Sequence, residues 1–443
     1  TGALWLGDGD DYLYNGEGSV WNPGTTPTYL NGGDDAIVNY GTINMANSAI
    51  HMGTYSYYGN YFLNAGYINV NGTDNWIDMG GPQALVPSLN PLPFYNYGTI
   101  DFQDGAPNDY LLITGDFAGH GDINVDVSGL TGDSDILYID GSVVTGTVQT
   151  INVDLLDLPN TIETLVPIVY VSGDSVAGNF VLGDVTWDED NSFVTLDFDI
   201  VADIDTTNAT PDVFSLGIEV TGLSDPGTLA ASVPGAIQSL ANSSVGTWRQ
   251  RMGVIDRFNK GEISLWARVW QDKGSWDVDH HADNFGQGGN FNWDQKNSGV
   301  EAGVDFAVTD EFSIGLLVGK SKADTDLDDP GVGHSDIDAD TWGIYGTWIS
   351  PTGFYLDASY RWMSFDVDMD SVAGPMSFSD NGETFNIELG YAWTLAGGLK
   401  IEPQFQYTKT NLDDFDTLVT STGMTFVNEG GESSRGRLGV AFR

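Results

Sequence analysis

From about residue 262 onward, apolar residues take every second position in run after run. Val300, Ala302, Val304, Phe306 and Val308 alternate with Glu301, Gly303, Asp305 and Ala307. Phe354, Leu356, Ala358, Tyr360 and Trp362 alternate with Tyr355, Asp357, Ser359 and Arg361. Phe385, Ile387 and Leu389 alternate with Asn386 and Glu388, and Leu399, Ile401 and Phe405 share a wall opposite Glu402 and Gln406. Strand side chains point to opposite faces with period two, so each run has one apolar and one polar wall. The pattern predicts eight strands, over about 262–271, 298–309, 311–320, 340–350, 353–365, 383–395, 398–410 and 433–443. Short connections (Thr309-Asp310-Glu311, Ser350–Gly353, Leu395–Gly398) alternate with long ones rich in Asp, Gly and Ser, expected over 273–292, 320–339, 366–382 and 411–432. A water-soluble antiparallel sheet explains the alternation equally well. It does not explain why the long loops fall on one side, as they do in an outer-membrane barrel. Each run has about the length a tilted strand needs to cross the hydrocarbon layer. Trp342, Trp348, Trp362, Tyr391 and Trp393 lie near the predicted strand ends, where aromatic girdles belong.

The N-terminal part repeats itself. Asn39-Tyr40-Gly41-Thr42-Ile43-Asn44 recurs as Asn64-Ala65-Gly66-Tyr67-Ile68-Asn69 and as Asn96-Tyr97-Gly98-Thr99-Ile100-Asp101. Such spacing predicts a solenoid, in which stacked rungs share a core that no single rung could bury. An irregular jelly-roll-like sandwich is the alternative. Short strands are also expected near 110–115, 121–128, 135–139, 147–155, 165–171, 192–199 and 213–221, continuing the solenoid and capping it.

Between the two halves, Thr228 to Phe258 loses the strand alternation. Ile237, Leu240, Val245, Trp248, Met252, Ile255 and Phe258 recur at helical steps, predicting one amphipathic helix with Pro234 near its start. It carries Arg249, Arg251 and Arg257, the first cations of the chain. A basic segment ahead of a barrel whose inner wall bears Glu301, Asp305, Asp357, Glu388, Arg268 and Arg361 is expected to thread that lumen, with Trp248 beside it. A linker docked on a soluble core is the competing reading. The organisation is therefore 1–105 solenoid, 106–225 further β region, 226–260 helix and 261–443 barrel.

Charge separates the halves. Residues 1–248 hold 32 acids and no Lys or Arg, and the remainder holds 31 acids and 15 bases, so −32 and −16 sum to the −48 of the chain. A segment without cations argues against nucleic acid or anionic lipid as its ligand. The absence of cysteine excludes disulfides, zinc–thiolate sites and a cysteine nucleophile. The chain opens at Thr1 without a basic start or signal-peptide core, so either a targeting segment is removed or the sequence begins inside a longer protein.

Signals for catalysis are poor, and neither a cofactor nor a metal is expected. His280-His281 with Asp279 and Asp283 could suggest a metal cluster, but they read as a solvated loop. The run Asp324 to Asp329, with Asp336, Asp338 and Asp340, would attract divalent ions only loosely. Gly173-Asp174-Ser175 and Gly132-Asp133-Ser134 have hydrolase-like tripeptides, with only His51 and His120 before residue 225 to serve as bases. Leu6-Gly7-Asp8-Gly9-Asp10-Asp11-Tyr12-Leu13 is one near-match to a calcium-binding nonapeptide that works only in tandem.

The arrangement resembles the classical type V secretion autotransporters. The match rests on Thr247-Trp248-Arg249-Gln250-Arg251-Met252-Gly253, Ser264-Leu265-Trp266-Ala267-Arg268, Glu402-Pro403-Gln404-Phe405-Gln406-Tyr407 and Arg435-Gly436-Arg437-Leu438-Gly439. Asn108 to Asp116 and Asp135 to Gly141 are similar to the passenger end that assists folding in that family. The resemblance implies an all-β protein: a solenoid passenger, a linker helix inside the pore and an antiparallel transmembrane barrel. Its partners would be outer-membrane lipid, the outer-membrane assembly machinery, periplasmic chaperones and an unidentified extracellular ligand, with no nucleic acid. The family barrel has about twelve strands, which implies about four beyond the eight predicted here. Some relatives cut themselves at an Asn-Asn pair in the helix; the corresponding place is Gly246-Thr247, so that cleavage is not expected. A non-enzymatic, adhesive or structural passenger displayed on the cell surface is expected. An outer-membrane channel with a β appendage and a soluble extracellular β-protein are the alternatives.

Overall fold

A computed structural model of the protein describes residues 2–53, 59–80, 93–253, 255, 257–281, 288–327, 333–395, 397–419, 425–428 and 430–442. They form two compact units, 1–187 with 196–221, and 188–195 with 222–443.

In the first unit each rung lends one short strand to each of three sheets, and successive rungs pair in parallel. The register sets Asn39 beside Asn64 and Asn64 beside Asn96, so the sequence repeat is the rung itself. Inside, Ile43, Ile68, Ile100, Ile123 and Ile151 stack in one buried column. Phe62, Phe94 and Phe117 form another, with ring centroids 4.8 and 5.6 Å apart. The strands expected beyond residue 105 are present as Tyr110–Thr114, Asp122–Ser128, Ile136–Asp140, Gln149–Asp157, Glu163–Val171, Val194–Asp203 and Asp212–Leu223. No break falls at 105, because Phe94, Ile100, Phe102 and Leu111 share one core. The parallel stack ends where Glu163–Val171 pairs antiparallel with Asp212–Leu223.

The recurring asparagine has a role the repeat alone did not reveal. Nδ2 of Asn15 donates to Oδ1 of Asn39 at 2.7 Å, Asn39 to Asn64 at 2.8 Å, Asn64 to Asn96 at 2.8 Å, and Asn96 to Oε1 of Gln149 at 2.8 Å. The same amides donate to the carbonyls of Thr42, Tyr67 and Thr99, which satisfies the backbone where the chain turns a corner. Two positions on, Gly41, Gly66 and Gly98 stack so closely that a Cβ on Gly66 would run into the carbonyl of Gly41.

In the second unit, antiparallel strands Ile263–His281, Gly288–Ala307, Phe312–Leu327, His334–Ile349, Phe354–Ser371, Gly374–Tyr391, Lys400–Leu412 and Gly431–Phe442 follow one another in an open sheet. The first and last do not pair with each other among the described residues. These strands run far past the expected ends. Segments read as long loops, His280-His281 included, largely continue the ladders, while Asp283 and residues 328–332 lie outside the described residues.

The reason is a change of phase. On Phe354–Ser371 the outward wall is Phe354, Leu356, Tyr360 and Trp362 at first, half-buried apart from the exposed Leu356, and then the exposed Ser364, Asp366, Asp368 and Asp370. The opposite wall passes from Tyr355, Asp357, Ser359 and Arg361 to Met363, Phe365, Val367 and Met369, all buried. Neighbouring strands switch at the same level, with Val318 and Trp342 exposed below, Lys320 and Asp340 exposed above, and Ala323, Ile337 and Ala339 buried. A Trp342–Trp362 stack, centroids 4.1 Å apart, marks the switch. It therefore lies within the strands rather than at their ends. Trp348 against Phe354, and Tyr391 against Trp393, mark the other rim. The lower half is thus apolar outside and polar inside, as lipid demands, and the upper half is apolar inside, as water demands.

Two measurements test the solenoid. Asn64→Ala removes two links of the ladder, to Asn39 and to Asn96, together with the bond to the Thr99 carbonyl, and leaves the Asn39 amide only the Tyr67 carbonyl; a loss of roughly 1–3 kcal/mol is expected in urea unfolding of the passenger transition. Asp135 is buried and accepts from the backbone of Asp109 at 2.8 Å and of Asp126 at 2.7 Å. Burial outweighs those bonds and pushes its carboxyl up to about 7. A carboxyl raised on folding binds its proton more tightly in the native state, so stability falls as pH rises from the unfolded value towards 7. The passenger melting temperature should therefore be higher at pH 5 than at pH 8, and Asp135→Asn should flatten that slope.

Candidate functional site

The chain enters the second unit through a helix, α1, Asp225–Val245, capped by Ser224, whose hydroxyl accepts from Gly227 N at 3.3 Å. After Asp225 it carries no charge, and Leu229, Ala230, Val233, Ala236, Ile237, Leu240 and Ala241 are buried among Ile337, Ala339, Met363, Phe365, Val367 and Met369. Phe193, from the 188–195 segment, joins this core. Pro234 lies inside the helix. The helix then breaks. Gly246 has φ +60°, and a Cβ there would collide with the Arg268 guanidinium. Thr247 restarts a second helix, α2, Trp248–Met252, through a capping box: Gln250 N donates to Thr247 Oγ1 at 3.3 Å and Thr247 N to Gln250 Oε1 at 2.9 Å. One helix to Phe258 was expected. Two form because the sheet claims the carbonyls at the break.

Those carbonyls make the site. Ser244 O accepts from Arg268 and, at 3.1 Å, from Arg361, and Val245 O accepts from Arg361 at 3.3 Å. The free carbonyls of a helix C-terminus carry partial negative charge, which two guanidinium groups meet here. Glu301 holds both cations, at 2.7 Å from Arg268 and 2.5 Å from Arg361, and all three side chains are almost wholly buried. Gln406 donates to Gly246 O at 2.6 Å.

The second helix is clamped similarly. Glu388, buried, accepts from Trp248 N at 3.0 Å and from the Tyr355 hydroxyl at 2.7 Å, so a carboxylate sits at the start of α2. Trp248 packs on Tyr355 with centroids 4.5 Å apart. Arg249 lies over the Trp248 ring at 4.0 Å and forks onto Glu402, Nε at 2.9 Å and Nη2 at 2.8 Å. Such bidentate pairs are the stronger kind. Arg251 pairs with Asp357, donates to Thr347 at 2.8 Å and covers the Tyr345 ring at 3.9 Å. Asp305 is buried beside Tyr345.

Nine of the ten residues singled out from sequence thus lie along the enclosed wall of the sheet, against the end of α1 and against α2. Arg257 does not: it is 69% exposed and faces Asp310 at 3.6 Å, because the chain leaves the helix at Gly253 and turns towards the first strand. Glu402, Tyr355, Gln406 and Thr347 were not singled out. Their signal was already present as polar-wall positions opposite apolar neighbours.

Other candidates are dispersed. Asp10 accepts from Asp34 N at 2.8 Å, and Asp35 accepts from Asp11 N at 2.9 Å, so the calcium-like run links rungs. His334 contacts Asp326 at 2.9 Å and Asp336 at 3.4 Å, and donor atoms of Asp324, His334 and Asp336 lie within 4.8 Å of one another on the exposed upper strands. Lys320 and Lys322 pair with Asp340 and Asp338 at 2.8 and 2.6 Å.

The geometry defines a class: a membrane-facing antiparallel sheet whose polar concave wall is filled by the protein's own preceding helices. Comparison with known proteins agrees. The Autotransporter beta-domain family model matches residues 265–443. Pertactin autotransporters of Bordetella parapertussis and Bordetella bronchiseptica are each 31% identical over 156 residues, covering 33% of this chain and 17% of theirs. The chain thus spans only 17% of the length of these curated relatives. Among solved structures, the β domain of the Bordetella autotransporter BrkA is 22% identical with a TM-score of 0.34, over 41% of this chain and 69% of that one. The translocator domain of NalP from Neisseria meningitidis is 15% identical with a TM-score of 0.32, over 48% and 68%. Residues 265–443 thus carry an autotransporter β domain, the part of those outer-membrane proteins that goes with a passenger displayed at the cell surface.

Glu301→Gln would leave Arg268 and Arg361 buried together with no carboxylate between them. Removing one partner of a buried ion pair costs roughly 3–5 kcal/mol. The folded band on a heat-modifiability gel should accordingly be lost at a clearly lower temperature, while Asp366→Asn, on the exposed upper wall, should leave it unchanged.

Proposed function

We propose that residues 222–443 deliver the acidic solenoid to the cell surface and hold it there, and that the solenoid acts as a non-enzymatic adhesive or structural surface module. The observation that carries the reading is the clamp at Ser244–Gly246. The chain leaving the solenoid is fixed by Arg268, Arg361, Glu301 and Gln406 at the place where some relatives are cut. In this protein that place is Gly246-Thr247, and the passenger stays attached.

Export uses the outer-membrane assembly machinery and periplasmic chaperones, as for the family. A stack of rungs that has packed outside does not readily slide back, so folding itself contributes to the direction of transit. The non-enzymatic reading draws support from the two hydrolase-like serines. Ser134 donates to the Pro167 carbonyl at 2.5 Å, and Ser175 donates to Asp212 at 2.5 Å, each engaged by a group other than histidine. His51 is stacked on Tyr29 at 4.8 Å and lies 3.3 Å from Asp78.

Expression in a Gram-negative host with protease added to intact cells tests the proposal. The outer-membrane fraction should hold one uncut chain whose solenoid is degraded from outside. An intact solenoid in the medium, or one shielded until cells are opened, would contradict it.

A further inference from the structure

One face of the solenoid carries aromatic rings that its core does not use. The sheet built from Tyr12–Asn15, Ala36–Asn39, Tyr61–Asn64, Phe94–Asn96 and Phe117–Gly119 turns Leu13, Ile37, Phe62, Phe94 and Phe117 inward. Its outward register runs Tyr12, Ala36, Tyr61 in one row of successive rungs and Tyr14, Val38, Leu63, Tyr95 in the next. Tyr40 and Tyr97, in the corner turns, extend the strip: Tyr14–Tyr40 centroids are 5.9 Å apart, Tyr61–Tyr95 5.5 Å, and Tyr95–Tyr97 6.2 Å with the rings nearly parallel. Tyr12, Tyr14, Tyr40 and Tyr97 are 65, 56, 47 and 52% exposed.

We propose that this tyrosine strip binds an extended polysaccharide whose sugars carry protonated amines. The proposal deepens the adhesive reading and rests on it. Rungs repeat about every 4.8 Å, close to the advance of one pyranose in an extended chain, and each of the first four brings at least one tyrosine to this face, Tyr12 and Tyr14, then Tyr40, then Tyr61, then Tyr95 and Tyr97, so that successive sugars can meet a ring at one margin or the other. Tyrosine suits that task, with an apolar ring to stack and a hydroxyl at its rim to hydrogen-bond. The strip is a flat sheet face. A basic peptide would need pockets for its alternate side chains, whereas a ribbon of sugars needs only repeated rings.

Charge selects among glycans. Residues 1–248 hold 32 acids and no Lys or Arg. Asp10, Asp34 and Asp116 precede strands of this sheet on one margin, and Glu17 and Asp122 stand exposed or half-exposed near the other. Such a field repels uronate or sulfated chains and attracts ammonium groups, which the ring faces also favour through cation–π contact.

The test is calorimetric titration of the purified full chain in detergent with a β-1,4-linked glucosamine hexamer, its N-acetylated counterpart and hexalysine. The glucosamine hexamer should bind, more weakly as salt is raised. Tyr14→Ser and Tyr97→Ser, each checked for an unchanged melting curve, should weaken binding about tenfold, the scale of one lost cation–π contact. Tyr138→Ser, on a different sheet, should leave binding unchanged. No binding overturns the proposal, as does equal binding by the acetylated hexamer. Equal binding by hexalysine together with indifference to both strip substitutions also overturns it, since bare charge would then suffice. Each of these outcomes concerns the purified protein and leaves surface display standing.

Discussion

A sheet placed in lipid has to hide its polar wall, and here that constraint is met by the protein's own chain. Inside hydrocarbon an unpaired backbone or charged group costs several kcal/mol, so the wall bearing Glu301, Asp357, Arg361, Glu388 and Glu402 needs partners on the concave side. The Ser244–Met252 segment supplies them. Its terminal carbonyls take Arg268 and Arg361, its first amide takes Glu388, and its own arginines take Glu402 and Asp357. The helix breaks at Gly246 because both ends of the break are claimed by the wall.

Above the Trp342–Trp362 level the same strands serve a different solvent. Where water replaces lipid outside, the apolar wall turns inward and α1 becomes the core of an ordinary soluble packing, with no charge after Asp225. The linker is therefore amphipathic along its length rather than around its circumference. Its apolar part lies where the sheet is greasy inside, and its cationic part lies where the sheet is polar inside. The solenoid obeys a related economy: a continuous isoleucine and phenylalanine core inside, and asparagine amides closing the backbone at each corner.

Much of this was legible in the chain. Period-two alternation located every lipid-facing stretch, and the Asn-X-Gly repeat turned out to be the rung register. Seven strands between residues 110 and 223 were readable because each keeps one apolar wall, whereas Phe117–Gly119 and Phe180–Thr186 were not read as strands. The extent of the barrel strands was hidden by physics rather than by noise. The backbone alternation runs on unbroken, but beyond Trp362 the apolar residues pass from even to odd positions, so Phe365-Asp366-Val367-Asp368-Met369-Asp370 reads as a polar loop to anyone following the even-numbered apolar positions. Arg257 was grouped with Arg249 and Arg251 by proximity in sequence, but the chain turns at Gly253 and leaves it outside. The asparagine column was visible only as turn chemistry, since hydrogen bonds between side chains 24, 25 and 32 residues apart need the stack to exist first.

The central claim is that one strand faces lipid below Trp362 and water above it while its other wall stays enclosed throughout. Spin labels placed singly from position 354 to 370 in the membrane-reconstituted chain measure this directly, by accessibility to oxygen and to a water-soluble relaxant. Even positions 354–362 should be oxygen-accessible, even positions 364–370 relaxant-accessible, and odd positions 355–369 protected from both. Relaxant reaching 355–361, or oxygen reaching 364–370 as readily as 354–362, would contradict the account.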